Sequence, residues 1–326
     1  PAGANGANGA NGTNGTNGAN GDAGPLTSSC SATLRWDLPA CQTATVTVGF
    51  GPAGVAFDGT YIWVTNVGSD TVSKIDPATK AVAATIALPA NGGPVGVAFD
   101  GTYIWVTNVG SDTVSKIDPA TNAVAATIAL PANGGPVAVA FDGTYIWVAN
   151  ENSDTVSKIN PANNAVTATI ALPNGSRPVA VAFDGTNIWV TDQSDNVSKI
   201  DPANNAVAAT IALANGSYPR GVAFDGTNIW VANQTSGTVS KINPVDDAVT
   251  GFVSVGNGSN FSGPQGVAFD GTNIWVTNDG SNTLFKVNPV TDAVTATIAL
   301  PAGSGPTRMA FDGTNIWVTN SGSNTV

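Results

Sequence analysis

From residue 52 onward the chain repeats one pattern of apolar and polar positions. In the copy from Pro94 to Leu130, four short apolar runs, Val95–Phe99, Tyr103–Thr107, Thr113–Ile117 and Val124–Leu130, are separated by Asp, Gly, Pro, Asn and Ser. Runs this short, rich in Val, Ile, Thr and aromatic residues and bounded by turn formers, predict strands and not helices; we letter them A to D. Asp100-Gly101 supplies a tight A–B hairpin. Asp118-Pro119-Ala120-Thr121 turns C into D, because proline presets the backbone at the second turn position. The marker Phe-Asp-Gly-Thr begins at Phe57, Phe99, Phe141, Phe183, Phe224, Phe269 and Phe311, so the spacings are 42, 42, 42, 41, 45 and 42 residues.

A four-strand unit of this length is the size of a propeller blade, which packs both faces on its neighbours. The seven copies therefore predict an all-β, seven-bladed β-propeller over residues 26–326, with A strands starting near 52, 94, 136, 178, 219, 264 and 306. Strand B, as in Ile104-Trp105-Val106, shows no alternation because neither face would meet solvent. Its recurring tryptophans, Trp63, Trp105, Trp147, Trp189, Trp230, Trp275 and Trp317, read as packing between blades and not as sugar platforms. The seventh copy reaches Asn324-Thr325-Val326, where strand C should start. Thr33–Asp37 and Ala44–Val48 read as a diverged C and D. A hairpin at 33–49 is thus expected to close the ring against the C-terminal strands A and B, either of its own chain or of a neighbour, removing exposed sheet edges.

Residues 1–25 follow a different rule. Gly3, Gly6, Gly9, Gly12, Gly15, Gly18, Gly21 and Gly24 keep an unbroken Gly-X-Y register, mostly around Ala-Asn and Thr-Asn. Only glycine fits where three polyproline-II strands meet, so the tract reads as an assembly stalk, a collagen-like trimer or a related packing, with a flexible Gly/Asn linker as the plainer alternative. Cys30 follows the stalk and Cys41 sits in the turn of the closing hairpin. They are the disulfide candidates, paired within the chain only if residues 26–32 fold back, or otherwise between chains. The start at Pro1, in the middle of a repetitive pattern, points to a processed or longer precursor.

Ile104-Trp105-Val106-Thr107-Asn108, then Ser111-Asp112-Thr113-Val114-Ser115-Lys116-Ile117-Asp118 and Ala126-Thr127-Ile128, resemble the YVTN family of β-propeller repeats, with Trp in place of the family's Tyr. The likeness spans roughly residues 31–326, and the amino-terminal tract resembles bacterial collagen-like stalks. The resemblance implies a prokaryotic protein that is exported or displayed at the cell surface, without implying one activity. Streptogramin-inactivating lyases look similar in blade pattern but use histidine and a bound metal, and this chain has no histidine.

Charge and chemistry narrow the picture further. Only 10% of residues are charged and the formal net charge is -11, a field that repels nucleic acid; no apolar run approaches the roughly 20 residues of a membrane helix. A Ser-His-Asp triad is excluded by composition. The Asp of each A–B turn is explained by the turn, and that of the C–D turn exchanges with Asn160, Asn243 and Asn288, as a turn acceptor would. No Asp-x-Asp-x-Asp calcium loop is present, and Glu151, Asp154 and Asp195 near the B–C turns are the acidic residues left for adventitious calcium. No enzyme activity, cofactor or resident metal is expected.

Departures from the repeat carry the remaining information. Six lysines share one slot of strand C, whereas Arg177, Arg220 and Arg308 lie in the D–A connections, beside the proline that opens the innermost strand, with Tyr218, Phe261 and Gln265. These six residues are the candidate binding site for an anionic or glycan ligand at the channel mouth. The same connections hold the glycosylation patterns at Asn174, Asn215 and Asn257. The leading expectation is a non-catalytic extracellular structural or display protein, a propeller head on a stalk that assembles the chain with itself as a homotrimer or surface fibre. The alternative is an adhesin that grips a surface glycan or protein ligand through the D–A loops; a lyase-like enzyme ranks last.

Overall fold

The computed structural model describes residues 44–256 and 263–326. The Gly-X-Y tract, Cys30, Cys41, Phe261 and the expected strand at 33–37 lie outside the described residues. Six antiparallel sheets of four strands each run outward from a central channel in the order A-B-C-D, and a seventh sheet has two strands, Pro306–Phe311 and Ile316–Asn320. Seven innermost strands surround the channel, each beside the next, with Pro306–Phe311 beside Pro52–Phe57.

The expectation of seven four-stranded blades, the last built from a 33–49 hairpin on the C-terminal A and B strands, is therefore corrected. Past Asn320 the seventh copy has only isolated bridges, from Thr325 to Asn320 and from Thr325 to Thr47. Val46 and Val326 exchange backbone hydrogen bonds of 2.8 and 2.9 Å, and Val48 N–H donates to the Asn324 carbonyl at 3.1 Å. The described part of the amino-terminal segment thus pairs its backbone with residues 324–326 of the same chain and not with the A and B strands. Bridges at single residues do not make a ladder, and the seventh sheet stays at two strands. Val46 and Val326 are nonetheless buried, against Val55, Ile62 and Trp317.

The repeat builds the interfaces between its four-stranded blades from three side chains. The A–B turn aspartate, Asp100 for example, accepts the backbone N–H groups of Thr102 and Tyr103 on one oxygen and the Trp105 indole N–H on the other, the last at 2.7 Å. The same Asp-to-Trp bond recurs at 2.7 Å in all seven copies. So fixed, Trp105 packs on Ile128 and Leu130 of its own blade and on Ile146, Val148 and Ile159 of the next. Lys116 then lies over the Tyr103 and Trp105 rings, 4.0 and 5.1 Å from their centroids, and donates across the interface to the Pro161 carbonyl at 2.7 Å and to Asn164 Oδ1 at 3.2 Å. That explains the shared lysine slot: the stem is buried, while the ammonium exchanges water for ring faces and a neighbour's carbonyl. Where Asp247 and Asp292 replace the asparagine, the contacts become ion pairs with Lys199 and Lys241.

A second belt of contacts runs nearer the axis. Thr65 Oγ1 accepts the Gly54 N–H at 2.8 Å and donates to the Val95 carbonyl of the next blade at 2.7 Å. Glycine is required at this point, because a Cβ on Gly54 would overlap that carbonyl. Thr319 does the same across the closing interface, donating to the Ala53 carbonyl at 2.8 Å.

Replacing Asp142 by Ala removes the acceptor of the Trp147 indole and of two turn amides, and should destabilise the fold by roughly 1–3 kcal/mol, read as a lowered urea midpoint. The double replacement Asp142→Ala with Trp147→Phe should cost less than the two singles summed, by on the order of 1 kcal/mol; strict additivity would show that the pair does not act together.

Candidate functional site

Blades that are nearly interchangeable outside become distinct at one end of the channel. Three slots there vary from copy to copy. The residue before the first proline of strand A is Gly51, Gly93, Gly135, Arg177, Tyr218, Gly263 and Gly305 in order; the second residue of strand A is Ala53, Val95, Val137, Val179, Arg220, Gln265 and Thr307. The residue after the last of strand B is Val67, Val109, Glu151, Gln193, Gln234, Asp279 and Ser321. The first two blades supply only glycine, alanine and valine at these slots; the charged, amide and phenol side chains form an arc over the third to sixth, and the seventh copy has Thr307 and Ser321.

Hydrogen bonds tie this arc together. Arg177 Nη2 pairs with Glu151 Oε1 at 2.7 Å, and Gln193 Nε2 donates to the same oxygen at 3.4 Å. Tyr218 Oη donates to Gln193 Oε1 at 2.7 Å. The Arg220 guanidinium sits 5.2 Å from the centre of the Tyr218 ring and donates from Nε to Gln234 Oε1 at 2.9 Å. Gln265 Nε2 donates to Asp279 Oδ2 at 2.9 Å. Gln193 and Gln234 are buried, so they orient Tyr218 and Arg220 from beneath. Arg177 and Tyr218 both hold positive φ, at 51° and 52°, where Asp154 and Asp195 accept their backbone N–H groups at 2.7 Å.

Arg308 occupies a different place. It is the third residue of its strand, where the other copies have Gly54, Gly96, Ala138, Ala180, Gly221 and Gly266. The small residues leave the bore open and the arginine crosses it: Nη2 of Arg308 donates to the Val179 carbonyl of the fourth blade at 3.2 Å. The cavity around it has a volume of about 160 Å³, walled by valines, Met309 and the small residues, with Arg308 as its charged group. Enclosure by the walls, reinforced by the charge of Arg220, lowers the Arg308 pKa to about 10, still well above neutrality. Among the described residues neither Arg220 nor Arg308 forms an ion pair, whereas Arg177 does.

Of the six residues expected at the mouth, Tyr218 and Arg220 lie against each other, while Arg308 reaches across the bore to the Val179 carbonyl. Arg177 turns outward to Glu151, Gln265 is engaged by Asp279, and Phe261 lies outside the described residues. Arg220, Gln265 and Arg308 belong to the innermost strands and not to loops. Of the slot after strand B, Glu151 alone stood out in the sequence; Gln193, Gln234 and Asp279 share it, and its variation between copies is visible in the register. Among the described residues no group of three or more Cys, Asp or Glu could hold a metal ion.

One buried carboxyl also stands apart. Strand B ends in Asn66, Asn108, Asn150, Asn233, Asn278 and Asn320 in six copies and in Asp192 in the fourth. Asn150 Nδ2 donates to Thr155 and Ser157, whereas Asp192 accepts from Ser198 Oγ at 2.6 Å; the Oδ1 of each is buried without a protein partner. Burial, with the nearby Asp154 charge adding to it against the Ser198 hydrogen bond, raises the Asp192 pKa to about 7.

The fold and site define the chain as a β-propeller with a polar, asymmetric channel mouth. The family described as "Domain of unknown function (DUF5074)" matches residues 51–186, and no curated protein matches the chain at a significant level. A streptogramin B lyase structure is similar at TM-score 0.73 and 18% identity, over 86% of this chain and 94% of that one. Virginiamycin B lyase from Staphylococcus aureus gives TM-score 0.74 and 18% identity over 86% and 97%. Kuenenia stuttgartiensis hydrazine synthase gives 0.73 and 21% over 87% and 97%. At these identities the likeness establishes the propeller fold, of the kind seen in virginiamycin B lyase, and transfers no activity.

Because the folded-state pKa of Asp192 lies above the ordinary carboxylate value, the folded protein retains this proton as pH rises from about 4 to about 7. The stability tied to that proton is complete at the acid end and lost across this window. Asp192→Asn should therefore stabilise the protein little at pH 4.5 and by a few kcal/mol at pH 8, measured as the difference in urea midpoint from the parent. An equal gain at both pH values would contradict the assignment.

Proposed function

We propose that this chain is a non-catalytic binding protein, whose propeller takes an anionic ligand at the channel mouth on Arg220 and Arg308. The observation that carries this reading is the placing of two guanidiniums within each other's field, one in the channel and one at its mouth, with no carboxylate paired to either among the described residues. Holding such charge next to apolar walls costs stability, and an anion offsets that cost. Tyr218 and the buried Gln193 and Gln234 favour the same reading, since they hold the Arg220 end in place before a ligand arrives. The sequence has no histidine, so the histidine chemistry attached by resemblance to streptogramin-inactivating lyases has no residue here to use. The lyases and the hydrazine synthase support the fold and not a reaction.

A screen of acidic and neutral saccharides, amino acids and small acids against the full chain tests this. Acidic members should bind and their uncharged counterparts should not, and Arg220→Ala with Arg308→Ala should abolish binding; unchanged binding by that double variant would sink the proposal.

The display role is a second reading, favoured by the unbroken glycine register of residues 3–24. There the propeller is the rigid head of a surface assembly and the mouth is what the head presents. Light scattering of the full chain should give a mass of three or more chains; a monodisperse monomer with the tract intact would remove it.

A further inference from the structure

The bore constrains the kind of anion, an inference that rests on the anion-binding reading above but draws on Arg308 alone. We infer that the bore takes a single carboxylate on Arg308, whose guanidinium is held in position by the Val179 carbonyl because Ala149 leaves that carbonyl free.

The berth of Arg308 comes from departures in two blades. Strand B carries threonine as its fourth residue in five copies, and four of these, Thr65, Thr191, Thr277 and Thr319, donate to the carbonyl of the second residue in the next blade's strand A. The third copy has Ala149 at this slot, so the corresponding carbonyl, that of Val179, receives no such bond. Arg308 departs across the channel, where the other copies have glycine or alanine, and its Nη2 supplies the missing donor at 3.2 Å. Its root is fixed as well, since the Arg308 backbone N–H donates to Thr319 Oγ1 at 3.0 Å. The absent hydroxyl and the added guanidinium complement each other, and the charge is aimed across the bore before a ligand arrives.

Charge, donors and space then define the ligand. Among the described residues that line the cavity of about 160 Å³, Arg308 alone is charged. One negative charge neutralises it, and a second would meet no cation among those residues. A guanidinium has five N–H groups, and Val179 is the acceptor that Arg308 side-chain nitrogens reach among the described residues. The donors that remain form a planar fork, which the two oxygens of a carboxylate match edge to edge and a spherical ion does not. The volume lies well below the roughly 300–1,000 Å³ of sites that enclose larger ligands, so the bore admits one compact group and any remainder of the ligand stays outside.

The carboxylate has two sources, a free short-chain acid or the C-terminus of a peptide. Isothermal titration of the full chain at matched ionic strength separates them, using sodium acetate, acetyl-trialanine, its amide, acetamide, sodium sulfate and sodium chloride. Acetate should bind saturably, and acetamide, sulfate and chloride roughly tenfold more weakly or worse. Acetyl-trialanine binding more tightly than acetate, with its amide inert, identifies a chain end, and acetate binding at least as tightly as the peptide identifies the free acid; both support the inference. Arg308→Gln should weaken acetate by roughly tenfold or more, with near-ultraviolet circular dichroism confirming the fold; if it does not fold, Arg308→Lys, which keeps the charge and loses the fork, should bind measurably more weakly than the parent. Ala149→Thr gives the Val179 carbonyl the repeat's own donor in competition with Arg308, and should weaken acetate by roughly threefold or more without lowering the urea midpoint. Ala232→Thr, at the same slot of the fifth copy, should leave acetate binding unchanged. Parent-like acetate affinity in Ala149→Thr would overturn the positioning by Val179, and sulfate or chloride binding as tightly as acetate would overturn the carboxylate while leaving an anion site. Loss of binding in Arg220→Gln but not in Arg308→Gln would move the site out of the bore and leave the anion-binding reading standing. Absence of saturable binding by every anion would overturn that reading as well.

Discussion

Each interface of this propeller depends on a hydrogen bond between a turn aspartate and the indole of the tryptophan five residues later. The aspartate closes the A–B hairpin with one oxygen and aims the largest core side chain with the other. Once aimed, the ring presents one face to the next blade's Ile and Val side chains and leaves its π-surface to a lysine from strand C. A local turn preference is thereby converted into long-range order, because the ammonium over the ring also bonds the carbonyl of the following blade's C–D turn. Local and global choices agree, which is the condition for a repetitive sequence to fold to one structure. The threonine belt repeats the logic near the axis, where glycine lets one strand approach the next.

Much of this order could be read in advance, and the reasons are specific. The Phe-Asp-Gly-Thr marker and the runs around Trp105 located strands and hairpins, because turn chemistry and strand pattern are local. The lysine slot was visible, but its role was not, since Lys116 acts on residues 45 and 48 positions away. The count of complete sheets was misjudged at the seam. There the expectation relied on analogy between a diverged segment and the repeat, and Val46, Thr47 and Val48 meet residues 324–326 through bridges and not a ladder. At the site, Arg220 and Arg308 stood out as basic residues outside the lysine register. Gln193 and Gln234 did not, because a buried amide that orients another side chain looks like any polar loop residue until its partner is known.

The contrast between scaffold and mouth matters for interpretation. Positions that repeat in every copy maintain the ring, and positions that differ gather at one end of the channel. There the first two blades present only small or apolar residues while the later ones carry charge and amides. A ligand would therefore meet a wall on one side and donors on the other, so the site has a direction that the scaffold lacks. Asp192 belongs to neither group. It sits in a scaffold slot, in the copy whose spacing is one residue short, and puts a carboxyl where six copies have an amide.

Arg308 has a mechanical consequence as well as a chemical one. It springs from the two-stranded sheet next to the seam and ends on the Val179 carbonyl of the fourth blade, across the channel. It is a spoke across a wheel whose rim is joined by single bridges a short distance from the spoke's root. Any change in the width of the ring alters the spoke's span and with it the position of the charged group in the bore. The stiffness of the ring and the occupancy of its centre are thus two readings of one side chain.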